Sequence, residues 1–193
     1  LRAEGVGGGT KATSAGQVRT LRTLAGPISL ENAESNDLTI STLAGALTIR
    51  QLKAQSADLR TVAGDLVVTD SEVERLVAQS LSGRVELTGR LARTGRYSLQ
   101  SQSGDVVFTP IGTDDFELEA ATVNGTVQSE FPITVNEQRE VARSTVRGRG
   151  GRTGARGMGP GRGNARILRG LAGDGGALVT LRTFSGAIAI TRR

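Results

Sequence analysis

The chain has 193 residues, 37% of them hydrophobic, with 27 glycines but only four prolines, one tyrosine and four phenylalanines, so a single domain cored by Leu, Val, Ile and Ala is possible and collagen is not. With no Cys and no His, disulfides, iron–sulfur clusters, thiolate metal sites and the commonest general base are all removed, and most catalytic templates fail at once. The formal charge of +5 belongs to one segment: Arg139 to Arg169 holds nine arginines against Glu140, a local net of +8, and the remainder carries −3.

Residues 1–17 read as a glycine-rich entry segment to a single domain spanning 1–193. Gly5 to Gly9 lacks the Lys-Ser/Thr of a phosphate loop. No signal peptide is legible there, and with Leu1 rather than Met at the start, removal or omission of a leader or anchor is an expectation for the full precursor to test. No apolar run in the chain approaches the roughly 18 residues of a membrane span.

From Val18 a phrase recurs: RTLAGPISL, STLAGALTI, RTVAGDLVV, QSLSGRVEL, QSQSGDVVF, ATVNGTVQS and RTFSGAIAI. Its glycines are Gly26, Gly45, Gly64, Gly83, Gly104, Gly125 and Gly186, at spacings of 19, 19, 19, 21, 21 and 61. A gap of 61 is three coils long, so the repeat is expected to continue through it in degraded form. Two positions after the glycine stand Ile28, Leu47, Leu66, Val85, Val106, Val127 and Ile188; four after it stand Leu30, Ile49, Val68, Leu87, Phe108, Ser129 and Ile190. This is the alternation of a half-buried strand. A second strand alternates before the glycine, as in Leu38 and Ile40 or Val179 and Leu181.

Antiparallel hairpins also place strands at short intervals, but they predict Asn-Gly or Asp-Gly turns and unlike neighbours. Columns that repeat every coil predict stacked parallel rungs instead. The expected fold is therefore all-β: a single-domain parallel β-helix of 19–21 residues per coil, right-handed, with little or no helix. The best helical candidate, Ser71 to Leu81, is already explained by the coil. Each coil is read as two strands meeting at a glycine corner, where the glycine supplies φ > 0 or close approach. Three residues before the glycine runs a hydroxyl column: Thr23, Thr42, Thr61, Ser80, Ser101, Thr122 and Thr183. Just after it Asp65, Arg84 and Asp105 alternate in sign, which predicts an exposed charge ladder.

With these columns in place, the sequence resembles a bacterial family of adhesin-like domains of unknown function built as parallel β-helices. The resemblance rests on SQSGDVVF around Gly104, RTVAGDLVV around Gly64 and the closing stretch GLAGDGGALVTLRTFSGAIAITRR, and it covers roughly 18–193. Ala46 and Ala187 depart from the family's usual Asp. The resemblance implies architecture, and it brings no catalytic residues, cofactor or metal ligands with it.

Two clusters remain. Asp114, Asp115, Glu117 and Glu119 read as a solvated strand face, with a calcium or partner site as the sharper alternative; paired-carboxylate catalysis would need a nearby basic group or metal. Arg147, Arg149, Arg152, Arg156, Arg162 and Arg166 lie in an Arg/Gly-rich insertion, 147–166. Its plain reading is a surface loop. Its functional reading is contact with an anionic surface such as an acidic glycan, and without interleaved aromatics it does not predict specific nucleic-acid binding. Both ends of such a solenoid, the farther at Ile190, are expected to need a partner. The expected function is a non-enzymatic structural or adhesive module, secreted or at the cell surface, forming homo-oligomers or filaments, with the arginine loop docked on the acidic stretch of a neighbour. The alternatives are a glycan- or anion-binding module, a cytoplasmic polymerising scaffold and, distantly, a polysaccharide lyase or hydrolase.

Overall fold

A computed structural model of the chain describes residues 2–5, 10–13, 20–112, 115–133 and 166–192. Among them there is no helix, and the strands form one sheet wound into a parallel β-solenoid. In chain order they are β1 (Arg2–Gly5), β2 (Thr10–Thr13), β3 (Thr20–Ala25), β4 (Ile28–Ala44), β5 (Leu47–Ala63), β6 (Leu66–Ser82), β7 (Val85–Ser103), β8 (Val106–Ile111), β9 (Phe116–Asn124), β10 (Val127–Ser129), β11 (Arg166–Ala172), β12 (Ala177–Ser185) and β13 (Ile188–Ile190).

Each of β4 to β7 is one whole coil, starting two residues after a corner glycine and ending just before the next. In β4 the buried residues are Ile28 and Leu30, then Ala33 and Ser35, then Leu38, Ile40 and Thr42. A coil therefore has three sides, one more than the repeat suggests. The extra side carries Ala33 and Ser35, Leu52 and Ala54, or Ser71 and Val73 at equivalent positions, and this mixture of size and polarity hides it in the sequence. The corner glycines Gly26, Gly45, Gly64, Gly83, Gly104 and Gly186 have φ between 115° and 157°. A side chain has no room there: a Cβ on Gly64 would overlap the Gly45 carbonyl of the coil below, and one on Gly125 would overlap that of Gly186.

The amino-terminal segment is more than an entry. β1 pairs in parallel with β3, setting Ala3 opposite Leu21, and β2 pairs with β4, setting Thr10 opposite Ile28. Rung pairing is a backbone interaction, so a glycine-rich stretch without the apolar phrase can still continue the stack.

Spatial order departs from chain order at the far end. β12 is hydrogen-bonded to β7 on one edge and to β9 on the other, both in parallel, with Leu181 opposite Leu99 and Ala120. β13 lies between β8 and β10 in the same way. The corners report the same sequence of levels: Gly104 N–H donates to Ser185 O (3.0 Å), and Gly186 N–H to Asn124 O (3.3 Å). The rung of β12 and β13 is thus slotted between the Gly104 and Gly125 rungs, and no coil of the 61-residue gap stands between the Gly125 and Gly186 rungs. β11, at the end of that gap, turns antiparallel onto the free edge of β9. Ile190 is therefore an interior residue of the stack, buried and followed by a tether: Thr191 N–H donates to Phe108 O (3.0 Å) and Arg192 N–H to Glu130 Oε2 (2.7 Å).

The core is the column of inward Leu, Val, Ile and Ala side chains, and the buried phenylalanines gather where the stack ends. Phe108, Phe116 and Phe131 pack edge to face, with centroids 5.8 and 5.4 Å apart, and the Arg192 guanidinium covers the Phe131 ring at 4.8 Å. The two extra residues between Gly83 and Gly104 are accommodated in β7. Tyr97 takes a position filled by Leu38, Ala57 and Leu76 in other coils, and its hydroxyl donates to Val73 O and accepts from Ala92 N–H (2.9 Å).

Candidate functional site

The polar residues of the repeat hold one rung to the next. The hydroxyls of Ser80 (3.5 Å), Ser101 (3.0 Å), Thr183 (3.0 Å) and Thr122 (3.2 Å) donate to the carbonyls of Gly64, Gly83, Gly104 and Gly186, in each case the corner one level back. The Thr42 and Thr61 hydroxyls are buried with no hydrogen-bond partner. The residue after the glycine also works along the stack. Asp65 Oδ1 accepts from Arg84 N–H (2.9 Å), and Asp105 Oδ1 accepts from Ala187 N–H (2.8 Å). The charge ladder expected of Asp65, Arg84 and Asp105 does not form, because the two carboxylates turn to the backbone of the next rung and Arg84 lies 3.7 Å from Glu86.

The acidic cluster is divided. Asp114 lies outside the described residues, as do Arg147, Arg149, Arg152, Arg156 and Arg162, while Arg166 opens β11 opposite Thr122. Asp115 Oδ1 accepts from Asp174 N–H (3.1 Å). Glu117 is exposed between Leu171 and Leu178 of the flanking strands. Glu119 is met by Arg169 of β11 (3.1 Å) and Arg182 of β12 (3.2 Å). Desolvation raises its pKa, but the hydrogen bonds and charges of the two arginines outweigh this and hold the carboxyl below its ordinary value. The basic segment thus meets the acidic one within a single chain, through Arg169. Among the described residues no cluster of acids is arranged to hold a metal ion.

A groove of about 500 Å³ runs along the bend between the first two sides of the coil. Asn32, Gln51 and Asp70 stand at this bend on successive coils with φ of 56°, 55° and 53°, a left-handed conformation that is rare outside glycine and tolerated best by Asn and Asp. Beside them Glu34, Lys53, Glu72 and Arg90 are register neighbours of alternating sign, and they close no ion pairs with one another among the described residues.

The largest feature that sequence reasoning missed is apolar. Two residues before the corner the side chain points outward, and the column reads Leu24, Leu43, Val62, Leu81, Gln102, Phe184 and Val123 in spatial order. Leu24, Leu43, Leu81 and Phe184 are 54, 52, 47 and 52% exposed, and Val62 is 39% exposed. At about 4.8 Å per rung, the seven positions extend about 29 Å along one face. The signal was present in the recurring phrases, where Leu, Val or Phe precedes the residue before glycine in six of the seven. Alternation marks such a position as outward, but only burial distinguishes an exposed apolar column from a buried one. Beside the column, Arg60 is held by Asp58 (2.8 Å) and Arg182 by Glu119, so this face carries few unneutralised charges.

No helix in the described residues is long and apolar enough to cross a membrane. Residues 14–155 match the family described as Toastrack DUF4097. Neither the curated proteins nor the solved structures contain a significant match to the chain.

Proposed function

The chain belongs to the Toastrack DUF4097 family, a domain family of unknown function, and from this premise we propose that it is a non-enzymatic structural or adhesive module that associates side to side with further copies of itself. The apolar ladder from Leu24 to Phe184 carries this reading. An exposed apolar strip of this length, broken by Gln102 between Leu81 and Phe184, is the usual mark of an interaction surface. A second copy presents side chains at the same period of about 4.8 Å, so two ladders can interdigitate along their whole length. A self-complementary face closes as a two-fold dimer, and growth into filaments needs a second contact elsewhere. Light scattering across a concentration series tests the reading: the native chain dimerises, and Leu43→Lys with Leu81→Lys stays monomeric while keeping its β circular dichroism. A native chain that is monomeric at every concentration and ionic strength refutes it. The reading extends to a bacterial cell surface or the extracellular space, which protease shaving of intact cells checks.

A second reading, glycan or other anionic-polymer binding, is favoured by the bend groove, whose amide, carboxylate and cationic heads are spaced at the rung period. It predicts retention on a glycan array or heparin that falls on Lys53→Glu with Arg90→Glu, or on deletion of 147–166. Unchanged retention in both variants removes it.

A further inference from the structure

We propose that the carboxyl-terminal unit 166–192 is exchangeable between copies, so that the slot between the Gly104 and Gly125 rungs is filled by the β12–β13 rung of a second chain, giving a reciprocally swapped dimer. The inference is independent of the apolar ladder and goes beyond the side-to-side reading.

Three observations carry it. The slot is defined by two parallel strand edges, β7–β8 on one side and β9–β10 on the other, and β12–β13 satisfies both. Until that rung arrives both edges are open, and an open edge accepts any strand of matching pattern. Next, β11, the turn at Gly173 to Gly176 and β12–β13 enter as one unit, since β11 and β12 flank the same strand, β9. Finally, the link between Ile133 and Arg166 is 32 residues long. Fully extended it spans at most about 110 Å, far more than the few rungs, at about 4.8 Å each, that an intramolecular return requires. A link of 32 residues is enough chain for the unit to reach the slot of a second copy as well as its own. The contacts are the same in the closed and swapped forms, so concentration during folding sets the proportion.

The chain has no Cys, which makes a crosslinking test clean. Val107 of β8 and Ala189 of β13 are register partners, both half-buried, on a different side of the coil from the apolar ladder. A full-length Val107→Cys chain is unfolded together with a size-tagged Ala189→Cys chain, refolded as a mixture and treated with a short thiol crosslinker. The expected result is a crosslinked heterodimer whose fraction falls about tenfold when refolding is carried out at tenfold lower concentration. The double variant in one chain is expected to close its own crosslink in dilute solution, and failure to do so overturns the register on which the exchange depends. If the double variant closes but the mixture yields no heterodimer at any concentration, exchange is refuted. A ladder dimer seen by light scattering in that case leaves the side-to-side reading intact. Heterodimer that persists in the Leu43→Lys, Leu81→Lys background supports exchange by itself.

Discussion

Deleting Gly173 to Arg193 removes the slotted rung and leaves β11 on β9. The buried side chains lost include Val179, Leu181, Ile188 and Ile190, each at most 1% exposed. At roughly 1.5–3 kcal/mol per buried aliphatic side chain, the loss is about 6–12 kcal/mol, comparable to the whole stability of a typical domain. It does not fall evenly. The coils of β4 to β7 contact mainly their neighbours, and a solenoid loses stability locally, as a sum of rung and interface terms. β9 and β11 would remain as an isolated two-stranded pair, which is marginal in water. Amide exchange by mass spectrometry should therefore show protection of 116–124 falling by about four orders of magnitude, the equivalent of 6 kcal/mol at about 1.4 kcal/mol per decade, while 47–63 stays protected. If 116–124 keeps its protection, β9 has dropped one level to pair with β7, stacking Gly125 directly on Gly104. That result would refute the claim that β12 is what holds the last rung in place.

Within the hydroxyl column, Thr61→Val and Thr183→Val should differ in effect. The first removes a buried hydroxyl without a partner and should be neutral or stabilising, while the second loses the bond to Gly104 O and should cost about 1 kcal/mol in urea unfolding. Tyr97→Phe leaves the Val73 carbonyl and the Ala92 N–H without the phenol and should cost about 1–3 kcal/mol. Burial raises the Tyr97 pKa, opposed by the Ala92 hydrogen bond and reinforced by Glu74, so its contribution is complete below the unfolded value of about 10 and is lost as pH rises toward the folded value. Absorbance titration of the phenol should show ionisation accompanying alkaline unfolding, and a freely titrating phenol in the folded chain would contradict it. For Glu119 the sign is reversed: its depressed pKa gives stability above the ordinary carboxylate range that disappears as pH falls, so the Tm gap between the native chain and Glu119→Gln should close in acid and narrow in salt.

The columns of the repeat made the coil legible, because one buried side chain every second position, returning at the same offset from a glycine, leaves little but stacked rungs. They also located the corners and the hydroxyl column. They did not reveal the order of the rungs. The phrases around Gly104, Gly125 and Gly186 are interchangeable in pattern, so any of them fits any level, and what places Gly186 in the middle is pairing between residues far apart in the chain. The charge column misled for a related reason: periodicity says that Asp65 and Asp105 recur at one position, but Asp65 turns to the backbone N–H of Arg84 rather than to its guanidinium, which is a matter of rotamer, and Asp105 faces Ala187 on the next rung, which is a matter of rung order. The third side escaped because Ala33, Leu52 and Ser71 share a place and no chemistry. Of the candidate site residues, Glu119 acquired partners that the sequence scatters fifty and more positions away.

The slotted rung also decides how the molecule carries a load. A pull on the segment after Ile190 does not peel an outermost strand bond by bond; it acts on a strand gripped along both edges, with Thr191 and Arg192 anchored to opposite neighbours. Tension entering there is shared between the coils of β7–β8 and the cap of β9–β11. A strand gripped on both edges in mid-stack thus meets tension with twice the pairing of a strand at either end of the stack.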